Sequence, residues 1–390
     1  MAVTVITNIG TIVSGLVEQP IIAGDVIVIK DGKIDAVGTM ALVDSLKKDS
    51  VEFKTIDAGG MTVTPGLIDS HVHPVIGDYT PRQKMSDFID SSIHGGVTSM
   101  ISAGECHTPG RPTDPAGVKA LAILAHKSFA LLKPGGVKVH GGSVILEKGL
   151  TEADFAEMAA AGVTVVGEVG LGSIKKPEDA APMVAWAKKH NMKVMMHTGG
   201  TSIPGSSTVS ADDVIKTDPD VVSHINGGPT AVSLKEVDRL LDETQIALEI
   251  VQCGNPKVAD YVARQATAKK QLNRLIFGND APSGTGVIPL GILRNICQIA
   301  SMSEVPAAVA VAMATGNTAR VYGLNTGVIA PGKEADIVIM DTPMGSVGKN
   351  ALEAIAAGDI PGVALVLVDG VVKVNKSRNT PPAVGKVTIA

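Results

Sequence analysis

Through the middle of the chain, apolar residues fall into short β-branched runs that alternate with stretches where they recur three to four positions apart. The first run lies in TIDAGGMTVTPGLIDSHVH. Its apolar residues Met61, Val63, Leu67 and Ile68, with a turn at Pro65 and Gly66, predict a short buried strand ending at His71 and His73. TSMISAG near Thr98, KVHGGSVIL near Val139, VTVVGE, KVMMH, VVSH, IALEIVQ near Ile246 and LIFGND read as seven further strands. Segments such as PEDAAPMVAWAKKHN and SLKEVDRLLDETQ, which separate them, carry the helical period. This alternation predicts an α/β chain with a (β/α)8 TIM-like barrel over residues 61–326. Residues 1–60 and 327–390 carry short β-branched runs punctuated by Gly and Asp, which predicts one β-rich domain assembled from both termini.

Composition narrows the class. A length of 390 residues suggests two domains, and 45% hydrophobic content with only 2% aromatics predicts a core of Val, Ile, Leu, Ala and Met. A net charge of −5 without a polybasic stretch argues against a nucleic-acid partner and gives membrane binding no support. No run approaches a transmembrane span, and MAVTVITNIG lacks the basic region and cleavage pattern of a signal peptide, so a cytoplasmic location is expected. Cys106, Cys253 and Cys297 lie far apart, which predicts reduced thiols rather than a disulfide framework.

The chemistry concentrates where the runs end. Residues two apart on a strand share a face, so His71 and His73 can reach one metal ion. Glu168, His197, His224 and Asp280 each close a later run, and the C-terminal strand ends are where such barrels carry their catalytic groups. Imidazole and carboxylate together suit zinc and ferrous iron. Loops on that face supply candidate substrate contacts at Glu105, His140, Thr198, Thr201 and Asn226, with Cys106 and His107 beside the first; an ordinary loop role stays open for each. The glycine-rich segments TGGTS and NGGPT offer backbone amides to a substrate carboxylate. His94, His126 and His190 sit in helical segments or at their ends and receive no role.

The order His-x-His, carboxylate, His, His, Asp resembles the metal-dependent amidohydrolase superfamily, and PGLIDSHVH resembles its first-strand signature. The resemblance extends to TNIGTIVSG and IIAGDVIVIKDGKIDAVG near the N-terminus and to GVIAPGKEADIVIMD and VLVDGVVKV near the C-terminus, and it implies that the terminal domain is a small β-sandwich. It further implies two divalent metals per subunit, zinc and iron, with His71, His73 and Asp280 on the buried ion and His197 and His224 on the outer one. Glu168 stands where many relatives bridge the ions with a carboxylated lysine, and matches the subset that uses glutamate there. Asp280 would be the catalytic residue, moving the proton from water to the leaving nitrogen. The implied reaction is C–N hydrolysis of a cyclic amide or enamide, with a small carboxylated lactam as substrate and a homo-oligomer, dimer or tetramer, as the assembly. Two alternatives compete: a heterocycle deaminase, commonly with one metal, and a non-enzymatic scaffold.

Overall fold

The computed structural model describes residues 3–76, 85–201, 208–227, 230–282 and 288–390. Among the described residues, eight strands occupy the middle of the chain: β1 (Leu67–Val72), β2 (Val97–Ser102), β3 (Lys138–His140), β4 (Val165–Val169), β5 (Lys193–Met196), β6 (Val221–Val222), β7 (Ala247–Val251) and β8 (Leu275–Gly278). Each is followed by a helix: α1 (Met85–Ser92), α2 (Pro115–Leu131), α3 (Glu152–Ala160), α4 (Pro177–Lys189), α5 (Ala211–Thr217), α6 (Leu234–Glu243), α7 (Pro256–Ala268) and α8 (Gly291–Met302). The strands pair in parallel as two sheets, β3-β2-β1 and β4-β5-β6-β7-β8. Single parallel bridges tie the sheets at both edges, Val144 to Val166 and Val72 to Ala281. Ile68, Ile101, Val165, Met195, Val221, Ala247 and Ile276, one from each of seven strands, pack into one cluster with Ala319 and Tyr322.

Local chemistry explains the elements. Pro177 starts α4 where its missing N–H costs nothing, with Glu178 and Asp179 in the first turn and Lys188 and Lys189 in the last, as the helix dipole favours. The Ser233 hydroxyl caps α6 by accepting from the Glu236 N–H, and Val237, Leu240 and Leu241 form its buried stripe. KVHGGSVIL yields only a three-residue strand because the chain turns at Gly142, whose φ is +89° and where a Cβ would lie 2.3 Å from the Ala122 carbonyl oxygen.

The run through Met61 and Ile68 is two strands rather than the single one expected. Thr62–Pro65 pairs with Ile337–Asp341 and Thr11–Val13, and the chain then passes Gly66 into β1. A Cβ at Gly66 would meet Thr98 Oγ1 at 2.2 Å, so only glycine allows this crossing. Thr62–Pro65 belongs to a six-stranded sheet in the order Val371–Asn375, Gly362–Val368, Ile337–Asp341, Thr62–Pro65, Thr11–Val13, Ile21–Ile22. A five-stranded sheet runs Thr388–Ile389, Lys54–Asp57, Val3–Thr7, Val26–Lys30, Lys33–Gly38. Ile6, Ile27 and Ile56 of one sheet share a core with Ile12, Val63, Ile337, Ile339 and Leu365 of the other, so both ends of the chain bury the same apolar surface. Among the described residues, no helix is long and apolar enough to cross a membrane.

Candidate metal centre

His71 and His73 leave β1 on one face, and their Nε2 atoms converge to 3.2 Å. The segment after β8 is laid against them: the Asp280 N–H donates to the His71 carbonyl and the His73 N–H to the Ala281 carbonyl, both at 2.9 Å. Gly278 permits the approach, since a Cβ there would sit 2.6 Å from the His71 Cβ. The fully buried Asp69 accepts from the Asn279 backbone N–H at 2.9 Å, the Asn279 side-chain amide at 2.6 Å and the His71 N–H at 3.2 Å, which fixes the ends of β1 and β8 together. Burial pushes the Asp69 carboxyl up to about 7.

Glu168, buried within β4, lies between two pairs of histidines. Its Oε2 is 3.6 Å from the Nε2 of both His71 and His73. Its Oε1 is 2.8 Å from His224 Nε2 and 3.9 Å from His197 Nδ1. Asp280 Oδ1 stands 3.5 Å and 3.4 Å from the same His71 and His73 nitrogens. Two groups of donors therefore share one carboxylate, His71–His73–Glu168 and Glu168–His197–His224, each with ligand atoms within 4.8 Å of one another.

These distances fit cations. Ligand bonds of about 2.1 Å around a tetrahedral zinc separate neighbouring donors by roughly 3.4 Å, and the His71 and His73 nitrogens lie 3.2 to 3.6 Å from each other and from the Glu168 and Asp280 oxygens. Both ring nitrogens of His197 and Nδ1 of His224 are buried without a hydrogen-bond partner among the described residues, a costly state that coordination would relieve. Burial, reinforced by His224, pushes His197 down to about 4, leaving the neutral imidazole that binds metals. Burial opposes the charged form of Glu168, yet His71 and His224 hold its carboxyl well below the usual range. Burial likewise opposes the charged form of His71, which Glu249, Glu168 and Asp280 hold well above the usual imidazole value. The buried carboxylates thus demand positive charge, which two dications would supply.

Glu249 in β7 escaped the sequence reading. Fully buried, it accepts from the Ser70 hydroxyl at 2.5 Å and the His224 N–H at 3.2 Å, and holds His71 Nδ1 at 2.7 Å. One carboxylate thereby orients a residue on each side of Glu168. The signal lay in the sequence as a lone charge inside the apolar run IALEIVQ; Asp69 in GLIDSH is the same kind of signal. Glu249→Gln keeps the shape but turns one acceptor oxygen into a donor. Metal affinity is expected to fall by about 10- to 100-fold, read as metal lost on dialysis against a graded chelator. Retention equal to wild type would remove Glu249 from the centre.

The substrate-contact candidates fare unevenly. His140 shares a face of β3 with Lys138, and burial, reinforced by Lys138, pushes its imidazole down to about 4. Thr198 donates its hydroxyl to the Ser223 carbonyl at 2.8 Å, and Asn226 joins Val251 through both ends of its amide, each at 2.9 Å, so both tie strand ends together. Thr201 is exposed, with its hydroxyl 3.2 Å from that of Thr208. Glu105 is buried and pushed up to about 8 by that burial, with the Thr108 hydroxyl at 3.3 Å. Its neighbours reach further: Cys106 Sγ is 3.3 Å from His73 Nδ1, and the His107 ring stands edge-on to His73 with centroids 5.2 Å apart. Residues 202–207 of the segment after His197 and residues 228–229 of NGGPT lie outside the described residues.

A model of the amidohydrolase family matches residues 62–373. The chain belongs to the amidohydrolase family. This amidohydrolase is 68% identical to the enamidase of Eubacterium barkeri over 383 residues, 98% of either chain. It matches a crystal structure of enamidase with a TM-score of 0.96 and 67% identity, each chain covered in full. Adenine deaminase of Ruegeria sp. (strain TM1040) is 26% identical over 332 residues, which are 82% of this chain and 51% of the deaminase. The β-aspartyl dipeptidase of Fervidobacterium islandicum AW-1 shares the fold, with a TM-score of 0.66 at 18% identity, covering 96% of this chain and 97% of that one.

Proposed function

We propose that this chain opens the lactam ring of 6-oxo-1,4,5,6-tetrahydronicotinate, with 2-formylglutarate and ammonia as final products. The reading places His71, His73, Glu168, His197, His224 and Asp280 around two divalent cations at the C-terminal end of a (β/α)8 barrel. One observation carries it: the two oxygens of Glu168 are divided between two histidine pairs, in a chain 68% identical to an enamidase. The bridges at both sheet edges support barrel closure, and the core shared by the terminal strands supports a β-sandwich from residues 1–60 and 327–390, to which Thr62–Pro65 adds a strand.

Zinc and iron suit this donor set, and such a pair, when bound, would make water acidic near neutral pH and polarise the lactam carbonyl. The protein's own part is proton transfer and orientation. Asp280, beside His71 and His73, takes the proton released as water adds to the carbonyl carbon. It then gives that proton to the ring nitrogen as the C–N bond breaks. The nitrogen leaves as an enamine, which tautomerises to an imine; a second water replaces that nitrogen, releasing ammonia and leaving the aldehyde. Backbone amides of the glycine-rich turns after His197 and His224 would orient the ring carboxylate, while Thr198 and Asn226 hold those turns in place.

Ammonia release from the carboxylated lactam by the metal-loaded protein tests the reading. Turnover is expected there and to fall about 100-fold or more for the same ring without the carboxylate, whose binding groups would be left unpaired. Ready deamination of adenine with no ammonia from the lactam would replace this reading with the deaminase alternative.

A further inference from the structure

Asp280 divides its carboxylate as Glu168 does, but between different kinds of partner. Oδ1 faces His71 and His73. Oδ2 accepts from the thiol of Cys253, whose Sγ lies at 3.3 Å. Cys253 stands two residues beyond β7 in a tightly held turn: Gln252 N–H donates to the Gly278 carbonyl at 3.0 Å, Gly254 N–H to Val251 at 3.2 Å and Asn255 N–H to Asn226 at 2.8 Å. A Cβ on Gly254 would lie 2.2 Å from the Gly227 carbonyl oxygen, so the turn packs directly against the segment that follows His224. Asp280 itself sits past the end of β8 with a left-handed backbone, φ 55°. Its backbone is fixed by the hydrogen bond to His71, and the Cys253 thiol holds the carboxylate at the oxygen that does not face His71 and His73.

We infer that Cys253 is a positioning residue for the hydrolytic step: its S–H holds Oδ2 and so fixes the orientation of the carboxylate that takes and returns the proton. The inference rests on the role of Asp280 in the proposed reaction. A thiol is a weak donor, so it restrains the carboxylate's direction while competing little for the proton that Asp280 must carry. The other two thiols have different surroundings, Cys106 against His73 and Cys297 donating to the Asp359 carbonyl.

Cys253→Ala in the metal-loaded protein is expected to lower kcat by about tenfold with KM and metal content unchanged, because a misdirected base slows proton transfer without weakening substrate binding. Cys253→Ser, which restores a donor, is expected to recover most of that loss. The S–H stretching band gives a readout independent of turnover. A hydrogen-bonded component should vanish in Cys253→Ala and move to higher frequency in Asp280→Asn. A kcat within about twofold of wild type in Cys253→Ala, metal loss in that variant, or an S–H band indifferent to Asp280→Asn would each overturn the inference. If wild type leaves the lactam intact, the substrate reading fails by itself, and the infrared comparison still decides whether the thiol holds Asp280.

Discussion

Glu168→Gln is expected to lose at least one of the two cations and to lower turnover by about 100-fold or more. The substitution keeps volume and hydrogen-bonding reach but removes the single negative charge placed between His71 and His73 on one side and His197 and His224 on the other. Whichever way the amide turns, its NH2 faces one histidine pair and cannot coordinate there. The remaining oxygen serves one cation, so the other loses both a ligand and the charge that offset it. Metal content per chain and the melting temperature, measured together, separate this from unfolding: the centre should empty in a protein that still melts cooperatively. Both metals retained at wild-type affinity would place Glu168 outside the coordination sphere.

Asp280→Asn is expected to act differently, lowering turnover by about 100-fold or more while metal content falls much less. Asparagine leaves an oxygen toward the cation but has no lone pair basic enough to take a proton. The backbone stays defined, because Asp280 is held through its N–H to the His71 carbonyl and through the neighbouring Asn279 to Asp69. Single-turnover measurements at saturating lactam would isolate the chemical step. Near-normal turnover would assign proton transfer to another group.

The strands that carry the centre were legible because each ends in a polar residue that its apolar run does not need. His71, Glu168, His197, His224 and Asp280 stand out for that reason, and the two-residue period of a strand puts His71 and His73 on one face without any tertiary knowledge. The division of residues 61–72 into two strands was less legible, because apolar residues continue on both sides of Gly66; only the contact with Thr98 shows why the chain leaves one sheet for another there. For His140, position at a strand end does not state which face a side chain takes; in β3 it shares its face with Lys138. Thr198 and Asn226 illustrate a different limit. Small polar residues beside a ligand read as substrate contacts, and the sequence does not show that these two also bond to the backbone of neighbouring strand ends. Glu249 was overlooked for the opposite reason: it lies inside a strand, and only pairing across 178 residues of sequence makes it the partner of His71.

The central claim is that one carboxylate, Glu168, joins two cation sites in a single centre. Anomalous diffraction from crystals of the metal-loaded protein, collected at the zinc and iron absorption edges, tests it most directly. The account predicts two peaks per chain, one among His71, His73 and Asp280 and one between His197 and His224, with an oxygen of Glu168 on each. A single fully occupied peak, with His197 and His224 unligated after loading with excess metal, would contradict it.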